Sequence, residues 1–203
     1  MTVTPTLHLM VGLPGVGKTT LASTIEEQSG ALRLTPDEWM QPLFGDSEAD
    51  GKRDVLEGRL IWVAHRTLCG GLSVILDFGF WSPEERYALR DIADRAGAQF
   101  KLHYVVLSEE QRRSRAEDRW RRGDTATFEM TAEDHDRFAE VFAAPTEEEL
   151  RGHTMPVPPS PFSSWPAWAS WRWPSLPRVD RSQRTEHVAV DGSGSASQVK
   201  GQQ

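Results

Sequence analysis

The sequence is poor in the features that build disulfide scaffolds, metal clusters and membrane spans. Cys69 is the single cysteine among 203 residues, which excludes an intramolecular disulfide and a thiolate zinc cluster. The six histidines show neither an HxH nor an HExxH spacing, so a histidine-bound metal is not expected. No apolar run approaches the roughly 18 residues that a membrane span requires. The opening MTVTPTLHLM lacks the basic and apolar regions of a signal peptide, and we therefore expect a reducing, cytoplasmic location.

An excess of positive charge is missing as well. The chain carries 23 Lys and Arg against 30 Asp and Glu, a formal net charge of −7. This balance argues against a protein whose whole surface grips nucleic acid, because phosphates must be neutralised by a basic face. The hydrophobic content of 38% and the charged content of 26% are typical of a globular domain.

Strands and helices are predicted to alternate from about residue 7 to residue 107. Short apolar runs predict strands at Leu7–Val11, Ala31–Leu34, Ser73–Asp77 and Phe100–Leu107. Capping residues and helical periodicity predict helices at Thr19–Gln28, from Thr35, at Arg53–Leu68, Ser82–Ala96, from Ser108 and from Thr131. This alternation is typical of parallel βαβ units, so we predict an α/β fold in which helices flank a central parallel sheet as three layers.

A phosphate-binding loop follows the first predicted strand. Gly12–Thr19 reads GLPGVGKT and matches G-x-x-x-x-G-K-[ST] in full. The glycines let consecutive backbone N–H groups turn towards a triphosphate, and the next helix directs its positive end at the same anion. In this motif Lys18 contacts the β- and γ-phosphates and the Thr19 hydroxyl binds Mg²⁺. The alternative is a glycine-rich turn without a ligand. We predict ATP and Mg²⁺ as cofactors, with a nucleotide-binding set of Gly12, Leu13, Pro14, Gly15, Val16, Gly17, Lys18, Thr19 and Thr20.

Four further motifs indicate a family. They are L-T-P-D after the second strand, V-I-L-D ending the third, S-P-E-E-R opening a helix, and the arginine-rich R-R-S-R-A-E-D-R-W-R-R. Over about residues 5 to 150 the chain resembles the small P-loop kinases, the group of polynucleotide 5′-hydroxyl kinases, zeta-toxin-like kinases and chloramphenicol phosphotransferase. The resemblance implies a P-loop NTPase fold and phosphoryl transfer from ATP to a hydroxyl. V-I-L-D-F-G-F-W departs from the D-x-T-N pattern of the polynucleotide kinases, which favours a small-molecule or nucleotide-like acceptor over a nucleic-acid end.

Two carboxylates that follow predicted strands are candidates for the chemistry. Asp37 lies just beyond a strand's carboxyl end, where ligands bind in open α/β sheets. A carboxylate there suits a general base that takes the proton of an acceptor hydroxyl, and the alternative is compensation of the helix dipole. Asp77 ends a buried strand and needs a partner. We predict that Asp77 binds Mg²⁺ directly or through water, with a structural hydrogen bond as the alternative. The two residues could exchange roles, since both should face one cleft.

The arginine-rich helix predicts a lid over the nucleotide. Arg115 and Arg119 are spaced i, i+4 and share one helix face, with Arg112 and Arg122 nearby. Arginines there would neutralise the charge that gathers on a transferring phosphoryl group. Gly123–Thr125 would supply the hinge of such a lid. The alternative is a solvated charged helix, because acidic residues are interleaved.

Two further features leave their alternatives open. Arg86, in S-P-E-E-R, either reaches a substrate anion or lies on a solvated helix face. The aromatic residues Phe78, Phe80 and Trp81, with Trp39 across the cleft, form either an apolar wall for the acceptor or part of the core.

The composition changes abruptly near Gly152. Residues 155–177 read MPVPPSPFSSWPAWASWRWPSLP, and the chain ends in the polar DGSGSASQVKGQQ. We predict a nucleotide-binding domain over residues 1–150 and an extended or disordered tail over 151–203, dispensable for ATP binding. The alternative is a tail whose four tryptophans pack on the domain itself or on a partner, with His187–Val190 as a fifth strand.

The residues together predict an ATP-dependent, Mg²⁺-assisted phosphotransferase. Asp37 is the expected base, Thr19 and Asp77 are the metal ligands, and Lys18 with Arg115 and Arg119 stabilises charge. Two rivals remain, a nucleotide-hydrolysing switch and a binding module without catalysis. The guanine-reading N-K-x-D is absent from the sequence, which disfavours a GTPase.

Overall fold

One parallel sheet forms the centre of the molecule. The computed structural model describes residues 3–46, 49–121, 131–152 and 155–179. Within them the strands are β1 Thr6–Val11, β2 Leu32–Leu34, β3 Val74–Gly79 and β4 Gln99–Tyr104. Their order across the sheet is β2-β3-β1-β4, and every pairing is parallel. β1 lies in the middle, so the loop after it opens at the centre of the sheet's carboxyl edge.

The helices cover both faces of this sheet. They are α1 Lys18–Ser29, α2 Pro36–Phe44, α3 Lys52–Cys69, α4 Pro83–Arg95, α5 Glu109–Arg121, α6 Ala132–Val141, α7 Glu147–Arg151 and α8 Trp165–Arg172. The predicted helix caps at Ser82 and Thr131 are present, and both form capping boxes, since each side chain accepts the backbone N–H of the residue three positions on. Within the described ranges, every helix is too short or too polar to cross a membrane. The predicted α/β fold with helices flanking a parallel sheet is confirmed.

Alternating residues of the strands contribute to two separate hydrophobic cores. Leu7, Leu9 and Val11 of β1 pack with α3, α4 and α8 in a large cluster. Met10 belongs to a small cluster on the opposite face, together with Ile75 of β3 and residues of α1. The division follows from the strand, in which successive side chains point to opposite faces.

The segment 155–179 is packed into the large core, which corrects the prediction of an extended or disordered tail for these residues. Trp165 and Trp168 are 6% exposed and Trp173 is fully buried, while Trp171 is 64% exposed. Trp168 meets Trp165 and Trp173 edge-on, with ring centroids 6.1 and 5.9 Å apart. This aromatic cluster covers the apolar side of α3 and α4, burial that composition alone does not reveal. The fifth strand considered at His187–Val190 lies outside the described residues.

Candidate functional site

The loop between β1 and α1 is built so that only glycine fits at two of its positions. A Cβ at Gly12 would lie 2.6 Å from the carbonyl oxygen of Val105, and one at Gly15 would lie 2.7 Å from that of Arg112. Both residues also have positive φ, 147° and 85°. The backbone at Val105 and Arg112 therefore packs directly against the loop. The backbone of Gly12–Gly17, which we call the phosphate cradle, has the form of a loop that binds an anion.

Lys18 opens α1 and turns back over this cradle. Its Nζ donates to the carbonyl oxygen of Leu13 at 3.0 Å, and its charge also acts on Asp77. Thr19 and Thr20 follow in the first turn and are exposed, whereas Val16 is buried and anchors the loop. The ammonium thus stands at the mouth of the loop, where the phosphates of a nucleotide would lie.

Asp77 is a buried carboxylate beside the phosphate loop. It lies within β3, which runs two residues further than expected to Gly79, and it is 4% exposed. Within the described part of the chain, neither of its oxygens has a hydrogen-bond partner in a protein group. Burial raises the pKa of Asp77, while the Lys18 charge and the nearby Thr19 hydroxyl oppose that increase. Such a group calls for a ligand.

A hard divalent cation fits these residues. Mg²⁺ takes oxygen ligands and is commonly held by one or two carboxylates or hydroxyls together with phosphate oxygens and water. The orphaned oxygens of Asp77 beside the Thr19 hydroxyl supply that donor set. The described residues contain no cluster of three or more His, Cys, Asp or Glu that would build a metal cage without a nucleotide.

Asp37 lies in the first turn of α2 and approaches the same region. Its charge raises the pKa of Asp77, so the two carboxylates are near each other. The Asp37 side chain is 47% exposed, and its Oδ1 accepts from Nη2 of Arg53 at 2.9 Å. An accessible carboxylate therefore stands beside a buried one, and the accessible one is open to a second substrate.

Arg115 reaches the loop from α5. Its Nη1 lies 3.6 Å from the position of a Cβ on Gly17, the residue that caps α1. Arg119 lies in the same helix, but its side chain, Arg122 and the hinge expected at Gly123–Thr125 lie outside the described residues. The guanidinium of Arg115 thus faces the phosphate cradle.

Comparison with known proteins places the chain in a family. A protein family described as an AAA domain matches residues 7–145. The chain belongs to this AAA domain family. No curated protein matches it significantly.

Solved structures share the fold of this AAA domain at low sequence identity. A Chloroflexus aurantiacus protein provisionally described as a kinase is 17% identical, with a TM-score of 0.59 over 83% of this chain and 97% of its own. Chaetomium thermophilum Kti12 in complex with ADP-AlF3 is 20% identical, with a TM-score of 0.55 over 69% and 81%. A chain of the Pnkp1/Rnl/Hen1 RNA repair complex is 19% identical, with a TM-score of 0.55 over 68% and 43%. The predicted resemblance to the small P-loop kinases is confirmed in the fold, and the family shown is that of the AAA domain.

Arg86 of the AAA domain has a structural place, which corrects both interpretations of this residue. It is 1% exposed and forms a two-pronged ion pair with Glu149 of α7, one prong of which spans 3.0 Å. Its Nη1 donates to the carbonyl oxygens of Phe80 at 3.1 Å and Ala143 at 3.0 Å. Because every contact is internal, Arg86 fixes the backbone just after β3 and is available to neither substrate nor solvent.

The aromatic residues after β3 divide between core and surface. Phe80 is 4% exposed and stacks on Phe78 with centroids 5.0 Å apart, so core packing accounts for both. Trp81 packs against Phe138 of α6 at 4.9 Å. Trp39 is 46% exposed on α2 and is the member of the group that stays accessible near Asp37.

Arg112 and His135 form a buried pair that the sequence does not reveal. Arg112 is 3% exposed, and its Nη1 lies 2.6 Å from Nδ1 of His135, which is 4% exposed. Arginine only donates, so the imidazole nitrogen accepts. Arg112 therefore joins α6 to the helix behind Gly15 instead of facing a nucleotide. The two residues are far apart in the sequence, and no local motif links them.

Proposed function

We propose that the protein transfers the γ-phosphate of ATP to a hydroxyl group of an acceptor, assisted by Mg²⁺. The observation that carries this proposal is the buried carboxylate of Asp77, which has no hydrogen-bond partner among the described residues and lies near enough to Lys18 and Thr19 for both to lower its pKa. A buried carboxylate without donors is costly to keep unless a cation completes it. Next to a phosphate cradle, a magnesium–nucleotide complex is the ligand of matching chemistry.

Each residue around the cradle has a role in this reaction. The loop N–H groups and Lys18 hold the β- and γ-phosphates, and Thr19 and Asp77 hold the cation. Bound Mg²⁺ would neutralise charge on the phosphate oxygens. Arg115, facing Gly17, stabilises the charge of the transferring group. These positive groups favour the transition state, in which negative charge is spread over the phosphoryl oxygens.

Asp37 is the proposed general base. The acceptor oxygen attacks the γ-phosphorus, the bond from that phosphorus to the ADP oxygen breaks, and the hydroxyl proton passes to the Asp37 carboxylate. Accessibility supports this assignment, because Asp37 is half-exposed while Asp77 is buried. A small-molecule or nucleotide-like acceptor suits the acidic chain better than a nucleic-acid end does.

Product analysis with γ-labelled ATP tests the proposal. Wild-type protein is incubated with a metabolite pool and Mg²⁺, and Lys18→Ala serves as the inactive reference. A labelled acceptor supports the proposal, whereas labelled phosphate alone indicates a hydrolysing switch. Absence of both products would leave a binding module.

Substitution of the two carboxylates separates their roles. Asp37→Asn should bind ATP–Mg²⁺ normally and transfer about 10²- to 10⁴-fold more slowly, the usual size of general-base effects. Asp77→Asn should weaken the Mg²⁺ dependence of binding. Glu38→Gln is the matched control, since Glu38 is the next residue of α2 and pairs with Arg33. Full transfer by Asp37→Asn together with loss in Asp77→Asn would reverse the assignment of the base.

A further inference from the structure

Arg53, in the first turn of α3, links the proposed base to a buried carboxylate. Its Nη2 donates to Oδ1 of Asp37 at 2.9 Å, and its Nε donates to Oε1 of Glu57 at 3.2 Å. The Arg53 side chain is 18% exposed, against 47% for Asp37. The guanidinium therefore bridges the accessible carboxylate of Asp37 on α2 and the buried carboxylate of Glu57 on α3.

Glu57 is held in turn by residues 155–179, which we call the C-terminal segment. Its Oε2 accepts a hydrogen bond from Nε1 of Trp173 at 3.2 Å, across 116 positions of sequence. Glu57 is 7% exposed and Trp173 is fully buried. One oxygen of this carboxylate thus faces Arg53, and the other faces Trp173 at the end of α8.

Arg172, the residue before Trp173, contacts the same part of α3. Nη1 of Arg172 contacts Asp54 at 2.6 Å, and its Nε contacts Glu85 of α4 at 2.9 Å. Arg172 also lies 4.0 Å from Glu57. Arg172 and Trp173 therefore contact α3 at Asp54 and Glu57, the residues one and four positions after Arg53.

We infer that Arg53 is a positioning residue for Asp37, and that the C-terminal segment keeps Arg53 in place through Trp173 and Glu57. This inference rests on the proposed function of Asp37. An exposed ion pair stabilises little because two long side chains must be ordered together. Glu57 has already ordered Arg53, so the aspartate is held at a smaller entropic cost. A base displaced by about 1 Å would slow transfer on the order of 100-fold.

The electrostatics of the link give it a measurable signature. Burial raises the pKa of Glu57 to about 7, against the opposing charges of Arg53 and Arg172, with Glu85 adding to the increase and Trp173 opposing it. Glu57 should therefore lose its charge as the pH falls through about 7, and its attraction for Arg53 is then lost. Asp37 should sense this change through the shared guanidinium.

Carbon-13 NMR of the aspartate carboxylates tests the link without any acceptor. The Asp37 resonance is assigned by its loss in Asp37→Asn and followed over pH 5 to 9. We expect a step centred near pH 7 in the wild type. Asp54, Glu85 and Arg172 also face this group, so the step belongs to Glu57 only if Glu57→Gln removes it. A step that persists in Glu57→Gln, or is missing from the wild type, overturns the link.

Release of phosphate from ATP–Mg²⁺, with water as the probe acceptor, tests the consequence for the rate. Trp173→Phe keeps an aromatic ring in the core but removes the donor to Glu57, and Arg53→Gln removes the link itself. We expect both to release phosphate about 10- to 100-fold more slowly, with ATP affinity changed less than about twofold. The matched control is Trp168→Phe, a buried neighbour of Trp173 that leaves the hydrogen bond to Glu57 in place.

The two measurements separate this inference from the proposed function. Rates are compared well below the melting temperature of each variant, so that lost stability does not enter. Wild-type release by both Trp173→Phe and Arg53→Gln would overturn the positioning role. A wild-type protein that shows the NMR step but neither transfers nor releases phosphate would overturn the proposed function and leave the link between Asp37 and the C-terminal segment standing.

Discussion

The two faces of the sheet differ in what they bury. The α1 face holds a small core of Met10, Ala22, Ala31 and Ile75 beside the phosphate loop. The opposite face, which we call the α8 face, holds the large cluster to which α3, α4 and α8 contribute. The strand β3 serves both, since Leu76 lies in the large cluster while its neighbour Asp77 is the carboxylate beside Lys18. Substitutions should therefore separate by face, with stability lost on one and ligand binding lost on the other.

Removal of the C-terminal segment should produce the largest effect. A chain ending at Gly152 loses Trp165, Trp168 and Trp173 from the α8 face. Each buried tryptophan contributes roughly 4 to 6 kcal/mol at about 25 cal/mol per Å². Three of them match the whole stability of an ordinary domain, about 5–15 kcal/mol. We expect the shortened chain to lose its cooperative thermal transition in circular dichroism.

A chain ending at Val179 is the control for that truncation. It keeps the tryptophan cluster together with Leu176 and Val179, both of which are buried. It should melt like the full-length protein. If the chain ending at Gly152 also melts at that temperature, the α8 face does not depend on its C-terminal cover.

The substitution Lys18→Ala should have the next largest effect, and on the other face. The ammonium lies at the mouth of the loop and not in either core, so the melting temperature should stay within a few degrees. Phosphate turnover should fall on the order of 10²- to 10³-fold, the usual loss when one stabilising group is removed from a transition state. Calorimetry with ATP–Mg²⁺ gives the binding part. The control is Lys101→Ala, an exposed lysine of β4, and undiminished turnover by Lys18→Ala would contradict the assignment.

A single methyl group should be enough to disturb the α8 face. Gly58 lies in the middle of α3, where Gly→Ala normally stabilises a helix by about 1 kcal/mol. Here a Cβ would lie 2.5 Å from Oγ of Ser175 and 2.9 Å from the backbone nitrogen of Leu176. We expect Gly58→Ala to lower the free energy of unfolding by about 1–3 kcal/mol, as overpacking does, measured by urea denaturation. Adding Ser175→Ala should restore part of the loss, and a stabilised Gly58→Ala would show that the segment is not seated on α3.

The phosphate loop and its helices could be predicted because their signals are local. Gly12–Thr19 carries its geometry within eight residues, and the capping box at Ser82 spans four. The loop motif is contiguous in the sequence, so Lys18 and Thr19 could be assigned without knowledge of distant residues. The sequence therefore predicted the sheet, the loop and the group of P-loop kinases from short segments.

The C-terminal segment could not be predicted because its partners are distant in the sequence, with Glu57 116 positions from Trp173 and Glu85 87 positions from Arg172. Trp173 donates a hydrogen bond to Glu57 and packs against Gly58, where a side chain would not fit. No local pattern around Glu57 or Gly58 indicates these contacts. Proline and serine around the tryptophans suggested an open chain, but tertiary packing overrides that composition. Arg86 was missed for the same reason, since its partner Glu149 lies 63 positions further on.

The smallest effect should come from a titratable pair on the α1 face. His8 shares that face with Met10, and its Nδ1 lies 3.0 Å from Nε2 of His103 on β4. Burial, and then the neighbouring His103 and Lys101, lower the pKa of His8 to about 4 from its usual 6.5. Burial also lowers the pKa of His103. The α1 face thus holds a neutral imidazole pair, whereas Arg86 and Glu149, buried beside the large cluster of the α8 face, form an ion pair.

This pair should make the protein less stable as the pH falls. Between about pH 6.5 and 4 the unfolded chain binds a proton at His8 and the folded protein does not, so the free energy of unfolding decreases across that window and is unaffected above it. The raised pKa of Glu57 acts in the opposite direction from pH 7 downwards, so the test is a difference between variants. The melting temperature of His8→Asn should fall less than that of the wild type between pH 7.5 and 5, and His103→Asn should behave alike. Parallel curves for wild type and both variants would mean that the α1 face tolerates the charged imidazole, and that the two faces do not differ in this respect.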